Sequence, residues 1–451
     1  MVENRNENTE NGRALIVGLG KSGIAAAEAL KRLKADISVF DSHYSDAKAS
    51  WAQKNKWHCS FGERPDSVEN FDMVVLSPGV PVDTDFVREA ERAGAEITGE
   101  LELAYRFGKG KYIAITGTNG KTTTTTLVGE IFKNAGKKTE VVGNIGVAVM
   151  SKALDSDDDT YMVAECSSFQ LETTRNFRPL VSALLNVTPD HLDRHKTMEN
   201  YTLAKAKIFA NQGENEYFIY NADDEICAGV VSLCRAVPVP FSRRKELKFG
   251  AFVKDGSIVV ADGNSVVEIC GVKELLIPGP HNLENALAAA AMAYFAGIGA
   301  ESIARTLRTF RGVAHRIERC GEKNGVFFVN DSKGTNPDAA VKAVLSFKNI
   351  ILIAGGYDKG AEYGELTGNF DGHVKELVLM GDTAPKIREA AEKAGFSKIH
   401  TVSDMQQAVR VAFALAAPGD TVLLSPACAS WDRYANFEDR GDDFKKCVRE
   451  L

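Results

Sequence analysis

The chain has 451 residues, of which 44% are hydrophobic and 25% are charged, and a formal net charge of -7 at pH 7. This composition excludes general disorder, and the negative charge argues against nucleic acid as a partner, since no global positive field attracts a phosphate polymer. The eight cysteines form no Cys-x-x-Cys pair, no apolar run is long enough to span a bilayer, and the first eleven residues lack the pattern of a signal peptide. We therefore expect a cytoplasmic protein with reduced thiols and no membrane insertion, and we expect a monomer.

Short apolar runs alternate with helical patterns along the whole chain, which predicts βαβ units and mostly parallel sheets of the α/β class. The runs are Ala14–Val17, Met73–Leu76, Ile113–Ile115, Met162–Ala164, Ala183–Leu185, Ile350–Ala354, Leu377–Leu379 and Thr421–Leu424. Glycine and charge interrupt the pattern at Phe107–Lys111 and near Phe310–Ala314. These interruptions predict three domains, 1–106, 107–312 and 313–451, with an antiparallel insert at Glu246–Ile277.

A glycine-rich turn follows the first predicted strand. Its sequence, Gly18 to Gly23, is a full G-x-G-x-x-G, and Asp41 follows the next strand. This pattern is typical of dinucleotide binding, in which the acidic residue binds a ribose hydroxyl. A glycine-rich turn at a helix start suits any pyrophosphate, however. A nicotinamide dinucleotide, another nucleotide and a purely structural turn all remain open at this point.

The segment after Ile115 predicts a phosphate-binding loop, because a strand, two glycines, a lysine and a threonine coincide at a helix start. Glycines let backbone N–H groups approach phosphates, Lys121 neutralises the β and γ oxygens, and Thr122 can ligate Mg²⁺. Ile115 stands where the common form of this loop has its first glycine, and a plain strand-to-helix turn is the structural alternative. The predicted ATP-binding residues here are Gly117, Thr118, Asn119, Gly120, Lys121, Thr122 and Thr123.

Two candidate side chains lie in the segments that follow later predicted strands. Glu165 and His191 stand at predicted carboxyl ends of parallel strands, the edge that holds the ligand in an open sheet, so they can reach a Mg²⁺ and the γ-phosphate. Glu165 as a capping or ion-pair residue, and His191 with His195 as zinc ligands, are the alternatives. The acidic run Asp155–Asp159 has no basic partner that the sequence identifies, and it predicts a solvated loop.

Several segments together resemble the Mur ligase family, which also includes the folylpolyglutamate synthases. They are Thr116–Thr122, Glu165–Gln170, Asp190–Asp193, His281–Ala286 and His315–Arg316. Within the family, Asn330–Asn336 and Ser425–Ser430 are similar to the members that add D-glutamate to UDP-N-acetylmuramoyl-L-alanine. The resemblance implies a Rossmann-like N-terminal domain that binds the UDP substrate, a P-loop-type central ATPase domain and a Rossmann-like C-terminal domain that binds the amino acid.

The resemblance also implies residue roles. ATP would be bound by the loop residues above and by Asn285, Arg316, Asp331 and Lys359. Two Mg²⁺ ions would be held by Thr122, Glu165, His191 and Lys205, with Lys205 carbamylated, and the catalytic set would be Lys121, Glu165, His191 and Lys205. The UDP group and the muramoyl substrate would contact Gly20, Ser22, Gly23, Asp41, Ser42 and Asn144, which assigns the first glycine turn to uridine diphosphate rather than to NAD.

The predicted D-glutamate pocket combines cationic and hydroxyl donors that follow two strands. Its residues would be Lys333, Thr335, Ser430 and Phe437, where Phe437 covers the aliphatic stem of the substrate. Lys333 as a solvated turn residue and Ser430 as a helix cap are the structural alternatives. Trp431 is a bulky departure from the family pattern, so the sequence does not define the wall of this pocket.

The implied reaction is the phosphorylation of a substrate carboxylate by ATP, followed by attack of the D-glutamate amine on the acyl phosphate, in peptidoglycan precursor synthesis. Lys121 and Mg²⁺ would spread the developing charge. The competing hypotheses are a sister ligase with another acceptor, a nicotinamide-dependent dehydrogenase, and a non-catalytic nucleotide-binding regulator. The first-domain fingerprint opposes folylpolyglutamate synthase, and a dehydrogenase would leave the Lys121 loop without a task.

Overall fold

The computed structural model describes residues 11–277 and 279–451, which form two compact units. One unit runs up to Leu275 and includes His281–Phe310, and the other combines Leu276–Pro280 with Arg311–Leu451. The first unit contains two sheets and the second contains one. The chain therefore has three α/β domains with mostly parallel sheets, as the sequence predicted, while the exact domain boundaries stay predictions. Of the first eleven residues, only Asn11 lies among the described residues.

The first sheet has five parallel strands in the order β3-β2-β1-β4-β5. The order changes direction beside β1, so the glycine turn after β1 lies at the point where such sheets bind ligands. Four alanines of α1 are buried, which lets the helix pack closely on the sheet. The elements are β1 (Arg13–Val17), α1 (Lys21–Arg32), β2 (Asp36–Asp41), α2 (Asp46–Asn55), β3 (His58–Phe61), β4 (Met73–Leu76), α3 (Asp85–Arg92), β5 (Glu96–Gly99) and α4 (Glu100–Phe107).

The central sheet has nine strands in the order β14-β13-β12-β11-β10-β9-β6-β8-β7. Its elements begin with β6 (Lys111–Thr116), α5 (Lys121–Asn134), β7 (Thr139–Gly143), α6 (Met150–Ala153), β8 (Tyr161–Glu165), α7 (Ser168–Glu172), β9 (Val181–Leu184), α8 (Leu192–His195) and α9 (Met198–Ala206). They continue with β10 (Tyr217–Asn221), α10 (Glu225–Gly229), β11 (Val237–Ser242), β12 (Gly250–Lys254), β13 (Ser257–Ala261), β14 (Val266–Gly271), α11 (Pro280–Phe295) and α12 (Ala300–Thr309).

The pairing in the central sheet determines which residues meet. Strand β6 lies between β8 and β9, and Ile115 is opposite Glu165. The carboxyl ends of these three strands therefore share one edge of the sheet. The predicted antiparallel insert is confirmed, because β12, β13 and β14 pair antiparallel and extend the other side of the sheet.

The third sheet has six strands in the order β15-β16-β20-β17-β18-β19, and only β15 is antiparallel to its neighbour. Because β16 and β20 are adjacent and parallel, the loops that follow them start side by side. The elements are β15 (Glu318–Lys323), β16 (Val326–Asn330), α13 (Pro337–Leu345), β17 (Ile350–Ala354), α14 (Gly364–Gly368), β18 (Val374–Leu379), α15 (Ala384–Lys393), β19 (Ile399–Thr401), α16 (Met405–Leu415), β20 (Thr421–Leu424) and α17 (Phe437–Arg449).

The acidic run Asp155–Asp159 has basic partners that the sequence did not identify. Basic partners do exist: Arg32 Nη2 lies 2.6 Å from Asp155 Oδ1, and Lys138 Nζ lies 2.7 Å from Asp157 Oδ2. These pairs are solvent-exposed and contribute little to stability.

The eight cysteines are free thiols. Each helix within residues 11–277 and 279–451 is too short or too polar to cross a membrane.

Candidate active site

The phosphate-binding loop joins β6 to α5 and is held rigidly from two sides. Gly120 has φ +81°, and a Cβ there would lie 2.3 Å from Asn285 Oδ1, so only glycine fits. The Asn119 N–H donates to Asn186 Oδ1 over 2.8 Å, and Asn186 Nδ2 donates to the Asn119 carbonyl over 3.1 Å. Asn186 is a loop-positioning residue that the sequence did not reveal, because its partner lies 67 residues away.

Two lysine side chains meet at one carbonyl of this loop. Lys121 Nζ donates to the carbonyls of Gly117 and Thr118 over 2.9 and 2.8 Å, and Lys205 Nζ donates to the same Gly117 oxygen over 2.8 Å. Lys205 is only 1% exposed. Its burial, together with the neighbouring Lys121 charge, holds the pKa of Lys205 well below its ordinary value. The structure thus brings together Lys121 and Lys205, as predicted, and burial disfavours the charged form of Lys205.

Glu165 lies at the end of β8 with one carboxylate oxygen in use. Asn144 Nδ2 donates to Glu165 Oε1 over 2.9 Å, while Oε2 is buried and has no hydrogen-bond partner within the part of the chain that the structure describes. A buried carboxylate oxygen without a donor fits a Mg²⁺ ligand, and Thr122 supplies a hydroxyl of the type such sites use. Its partner is a neutral amide on the loop after β7, so neither the capping nor the ion-pair alternative describes Glu165.

The two histidines after β9 have different environments. His191 is half exposed, adopts φ +51°, and places Nε2 3.5 Å from Asp190 Oδ2. His195 is buried, with Nε2 3.0 Å from Ser168 Oγ and Nδ1 3.4 Å from Glu172 Oε1. Both ring nitrogens of His195 therefore have protein partners, which argues against the zinc-pair alternative. His191 is the histidine with an accessible ring.

The glycine turn of the first domain is closed by a carboxylate. Asp41 accepts hydrogen bonds from the N–H groups of Leu19 and His43 over 2.7 and 2.9 Å, and Lys48 Nζ lies 2.8 Å from the same side chain. Burial opposes ionisation of Asp41, but Lys48 and the two N–H groups outweigh it, so the pKa of Asp41 lies below its ordinary value. Lys48 was missed by the sequence reasoning because it is one of many charges on α2.

The remaining residues predicted for the UDP substrate divide between two places. Gly23 is required by packing, since a Cβ there would lie 1.9 Å from the Gly18 carbonyl oxygen, whereas a Cβ at Gly20 would meet nothing within 4 Å. Ser22 belongs to the first turn of α1, and Ser42 Oγ lies 2.9 Å from His43 Nδ1. Asn144 is in the central domain beside Glu165.

Arg194 links the central domain to the first domain. Its Nη2 donates to the Val80 carbonyl over 3.0 Å and to Glu172 Oε2 over 2.5 Å. Val80 lies in the loop after β4, and Arg194 lies in α8, three residues after His191. This arginine therefore fixes the His191 segment against the first domain. Arg194 lies within the sequence segment Asp190–His195, but no local pattern indicated that it contacts Val80.

In the second unit, Arg316 and Asp331 approach each other through a strained turn. His315 and Ile317 have φ +62° and +47°, which is costly for a β-branched residue. The Ile317 N–H donates to Asp331 Oδ1 over 3.3 Å, and Ser425 Oγ donates to Oδ2 over 2.7 Å. Burial raises the pKa of Asp331 to about 6, although Ser425 and Arg316 act in the opposite direction. Arg316 Nε is buried and has no hydrogen-bond partner among the described residues.

Two residues of the predicted D-glutamate pocket meet around the loop after β16. The Lys333 ammonium lies 5.5 Å from the ring centroid of Phe437, and Ser332 Oγ donates to the Phe437 carbonyl over 2.8 Å. The Thr335 N–H donates to the Lys333 carbonyl over 2.9 Å. Lys333 is half-buried, so it is not a fully solvated turn residue.

The loop after β20 carries the other half of this pocket. Ser430 is 2% exposed, and the N-cap of α17 is Asn436, so the alternative of Ser430 as a helix cap is wrong. Trp431 is 60% exposed. The Lys359 ammonium, predicted near ATP, lies 4.4 Å from the Trp431 ring centroid. The structure therefore places Lys359 beside the Ser430 loop.

Three family models match successive parts of the chain. Their descriptions are "Mur ligase MurD-like, N-terminal domain" for residues 12–99, "Mur ligase middle domain" for residues 115–293 and "Mur ligase, glutamate ligase domain" for residues 315–428. The chain belongs to the Mur ligase family. As a Mur ligase, it is an ATP-dependent ligase, in agreement with the loop and carboxylate geometry above.

Curated relatives match over nearly the whole length. The UDP-N-acetylmuramoylalanine--D-glutamate ligase of Thermoanaerobacter sp. (strain X514) is 49% identical over 446 residues, which cover 97% of this chain and 98% of the relative. The ligase of the same name from Alkaliphilus oremlandii (strain OhILAs) is 49% identical over 451 residues, covering 98% and 99%. The structure of UDP-N-acetylmuramate-alanine ligase from Thermotoga maritima has a TM-score of 0.60 at 19% identity and covers 97% of this chain and 99% of that one, which shows a common fold.

Proposed function

We propose that this Mur ligase joins D-glutamate to UDP-N-acetylmuramoyl-L-alanine, with ATP converted to ADP and phosphate, as a step of peptidoglycan precursor synthesis. The observation that carries the proposal is the 49% identity, over 97% of the chain, to a relative that bears this activity in its name. We include in the proposal the three domain boundaries given above and action as a cytoplasmic monomer. Sedimentation velocity measures the oligomeric state.

The phosphate-binding loop supports the first half of the reaction. The substrate carboxylate attacks the γ-phosphorus of ATP, the bond between that phosphorus and the β,γ-bridging oxygen breaks, and ADP leaves with the electron pair. Lys121 would turn from the Gly117 and Thr118 carbonyls toward the phosphates and spread the developing charge. Bound Mg²⁺, held by Thr122, Glu165 and His191, would supply further neutralisation of the phosphate oxygens.

The burial of Lys205 supports its carbamylation. A carbamate forms when a neutral amine attacks the carbon of CO₂ and loses a proton, and the burial that lowers the pKa of Lys205 disfavours the protonated form, which cannot react. The product is a carboxylate-like group. It would form at the end of the side chain that contacts the Gly117 carbonyl of the loop. Such a group would replace a buried amino group with an oxygen donor of the kind that Mg²⁺ prefers.

The second half of the reaction is attack of the D-glutamate amine on the acyl phosphate, with release of phosphate. D-Glutamate carries two carboxylates, so its site needs cations and hydroxyls and no competing carboxylate. Lys333, Thr335 and Ser430 offer these groups on the two adjacent loops after β16 and β20. Phe437, against which the Lys333 ammonium lies, offers an apolar face for the stem of the amino acid.

The test of the proposed function is phosphate release by the purified protein with ATP, Mg²⁺ and UDP-N-acetylmuramoyl-L-alanine. D-Glutamate, L-glutamate, L-alanine and L-lysine are supplied separately. We expect release that depends on D-glutamate, with a new amide product in the mass spectrum. Preference for L-lysine or L-alanine would overturn the D-glutamate assignment in favour of a sister ligase.

Lys333→Ala tests the amino-acid pocket directly. Loss of the ammonium leaves a substrate carboxylate unpaired, so we expect binding of D-glutamate to weaken by about 2 to 5 kcal/mol. In steady-state kinetics the KM for D-glutamate should rise strongly while the KM for ATP changes less. Lys342→Ala is the matched control, because that lysine lies on the following helix and pairs with Asp338 over 2.8 Å. Equal KM values for the two variants would contradict the pocket assignment.

A further inference from the structure

Arg440 is a buried arginine on α17 that the reaction outlined above does not use. Its side chain is 2% exposed. Its Nε donates to Ser332 Oγ over 2.9 Å, and Nη2 donates to the Ser332 carbonyl over 2.8 Å. On the other side, Nη1 donates to the Ala429 carbonyl over 3.1 Å and Nη2 donates to the Cys428 carbonyl over 3.0 Å. One guanidinium thus bridges the loop after β16 and the loop after β20.

The chemistry of these contacts indicates precise placement rather than charge pairing. The four acceptors are neutral, so the bonds offset the cost of burying the cation without supplying a salt bridge. A guanidinium is planar and directs its N–H groups in a fixed fork. Acceptors on both loops can be satisfied at once only when the loops are a defined distance apart. A lysine, with one rotatable ammonium, imposes no such geometry.

The start of α17 is tightly docked beside these loops. A Cβ at Gly441 would lie 2.1 Å from His315 Nδ1, and Asn330 Nδ2 donates to the Gly441 carbonyl over 3.3 Å. Ser332 Oγ, which accepts from Arg440, also donates to the Phe437 carbonyl over 2.8 Å. The helix therefore carries Arg440 and Phe437 as one rigid piece, with little freedom to shift if the loops move.

We propose that Arg440 is a positioning residue for the amino-acid site. Its partners adjoin the predicted ligands: Ser332 precedes Lys333, and Ala429 precedes Ser430. By fixing both loops, Arg440 sets the spacing between the Lys333 ammonium and the Ser430 hydroxyl, the two groups that would bind the amino acid from different strands. The inference rests on the proposed function for the location of the amino-acid site.

Arg440→Lys in the full-length protein tests this inference, with Arg449→Lys as the matched control. Arg449 lies on the same helix and is exposed. We expect Arg440→Lys to raise the KM for D-glutamate by about tenfold or more, since the bridge between the loops loses most of its bonds. The KM for the UDP substrate, whose predicted site is in the other unit, should stay within about twofold of wild type.

A general loss of stability would produce a different result. Equal increases of both KM values together with a lower melting temperature, or an unchanged KM for D-glutamate, would overturn the inference. If Arg440→Lys fails to fold, Ser332→Ala decides, because it removes one acceptor and should raise the same KM by a smaller factor. If the wild type uses another amino acid, the proposed function fails, and the KM for that amino acid then decides the role of Arg440.

Discussion

The two glycine-rich loops of this ligase occupy similar places in their sheets and are surrounded by different charges. Gly18–Gly23 and Gly117–Gly120 each follow a buried strand and open a helix whose first residue is a lysine. Lys21 is exposed, whereas Lys121 is folded back onto the carbonyls of its own loop. A glycine turn at a helix start suits a phosphate in both places, so the glycine pattern alone does not distinguish the two sites.

The distinction comes from side chains that other elements deliver. Asp41, at the end of β2, accepts from one N–H group of the first turn, that of Leu19, and pairs with Lys48. The second loop instead receives Lys205 from α9, so two amino groups share the Gly117 carbonyl. We therefore propose that the first site holds a nucleotide by hydroxyl and backbone contacts and that the second stabilises charge during phosphoryl transfer.

The largest difference between the loops should appear at Lys205. We expect Lys205→Ala to be inactive in the phosphate-release assay and to recover part of its activity with a short carboxylic acid such as acetate, because acetate can supply the carboxylate of the proposed carbamate. Lys205→Arg, which keeps a cation and cannot be carbamylated, should remain inactive with or without acetate. Full activity of the arginine variant would refute a carbamate and would make the two loops more alike than proposed.

Lys121→Ala and Lys21→Ala compare the same helix position in both loops. Loss of a positioned charge at the transferring phosphoryl group costs roughly a hundredfold or more in kcat. We expect that loss for Lys121→Ala, measured at saturating substrates, and a kcat within about twofold of wild type for Lys21→Ala, because Lys21 points to solvent. Similar kcat values for the two variants would remove Lys121 from the γ-phosphate site.

Asp41→Asn should give the smallest effect and a different kinetic signature. The amide keeps one acceptor for the turn but loses the charge pair with Lys48, so we expect the KM for the UDP substrate to rise by about tenfold while kcat changes little. Asp46→Asn is the control, since that exposed carboxylate accepts from Tyr44 Oη over 2.7 Å. A fall in kcat with an unchanged KM would place Asp41 in the chemistry rather than in binding.

The strand ends that carry the site were predictable because they depend on local pattern. Apolar runs identified β1, β6, β8, β9 and β20, and the polar residues after them belong at a common edge wherever the strands are parallel. The phosphate-binding loop needed only its own residues for recognition. The resemblance to the Mur ligases, based on such short segments, agreed with family models along most of the chain.

Several positioning contacts could not be predicted from local pattern. Asn186 and Arg440 act on partners 67 and 108 residues away, and nothing in their own segments marks them. Lys48 lies on a helix in which most residues are solvated, where a charge is expected. These side chains acquire their role only when distant strands are paired in register, because that pairing decides which charges are buried together.

The sequence by itself determined the α/β class, the antiparallel insert and the family, since each depends on periodicity or on residues close together in the chain. Only the tertiary structure decided the state of the charges. Burial beside Lys121 lowers the pKa of Lys205, and the strained turn around Arg316 faces a carboxyl whose pKa burial raises to about 6. Desolvation and long-range contacts set these properties, and both arise from packing that no local stretch of sequence encodes.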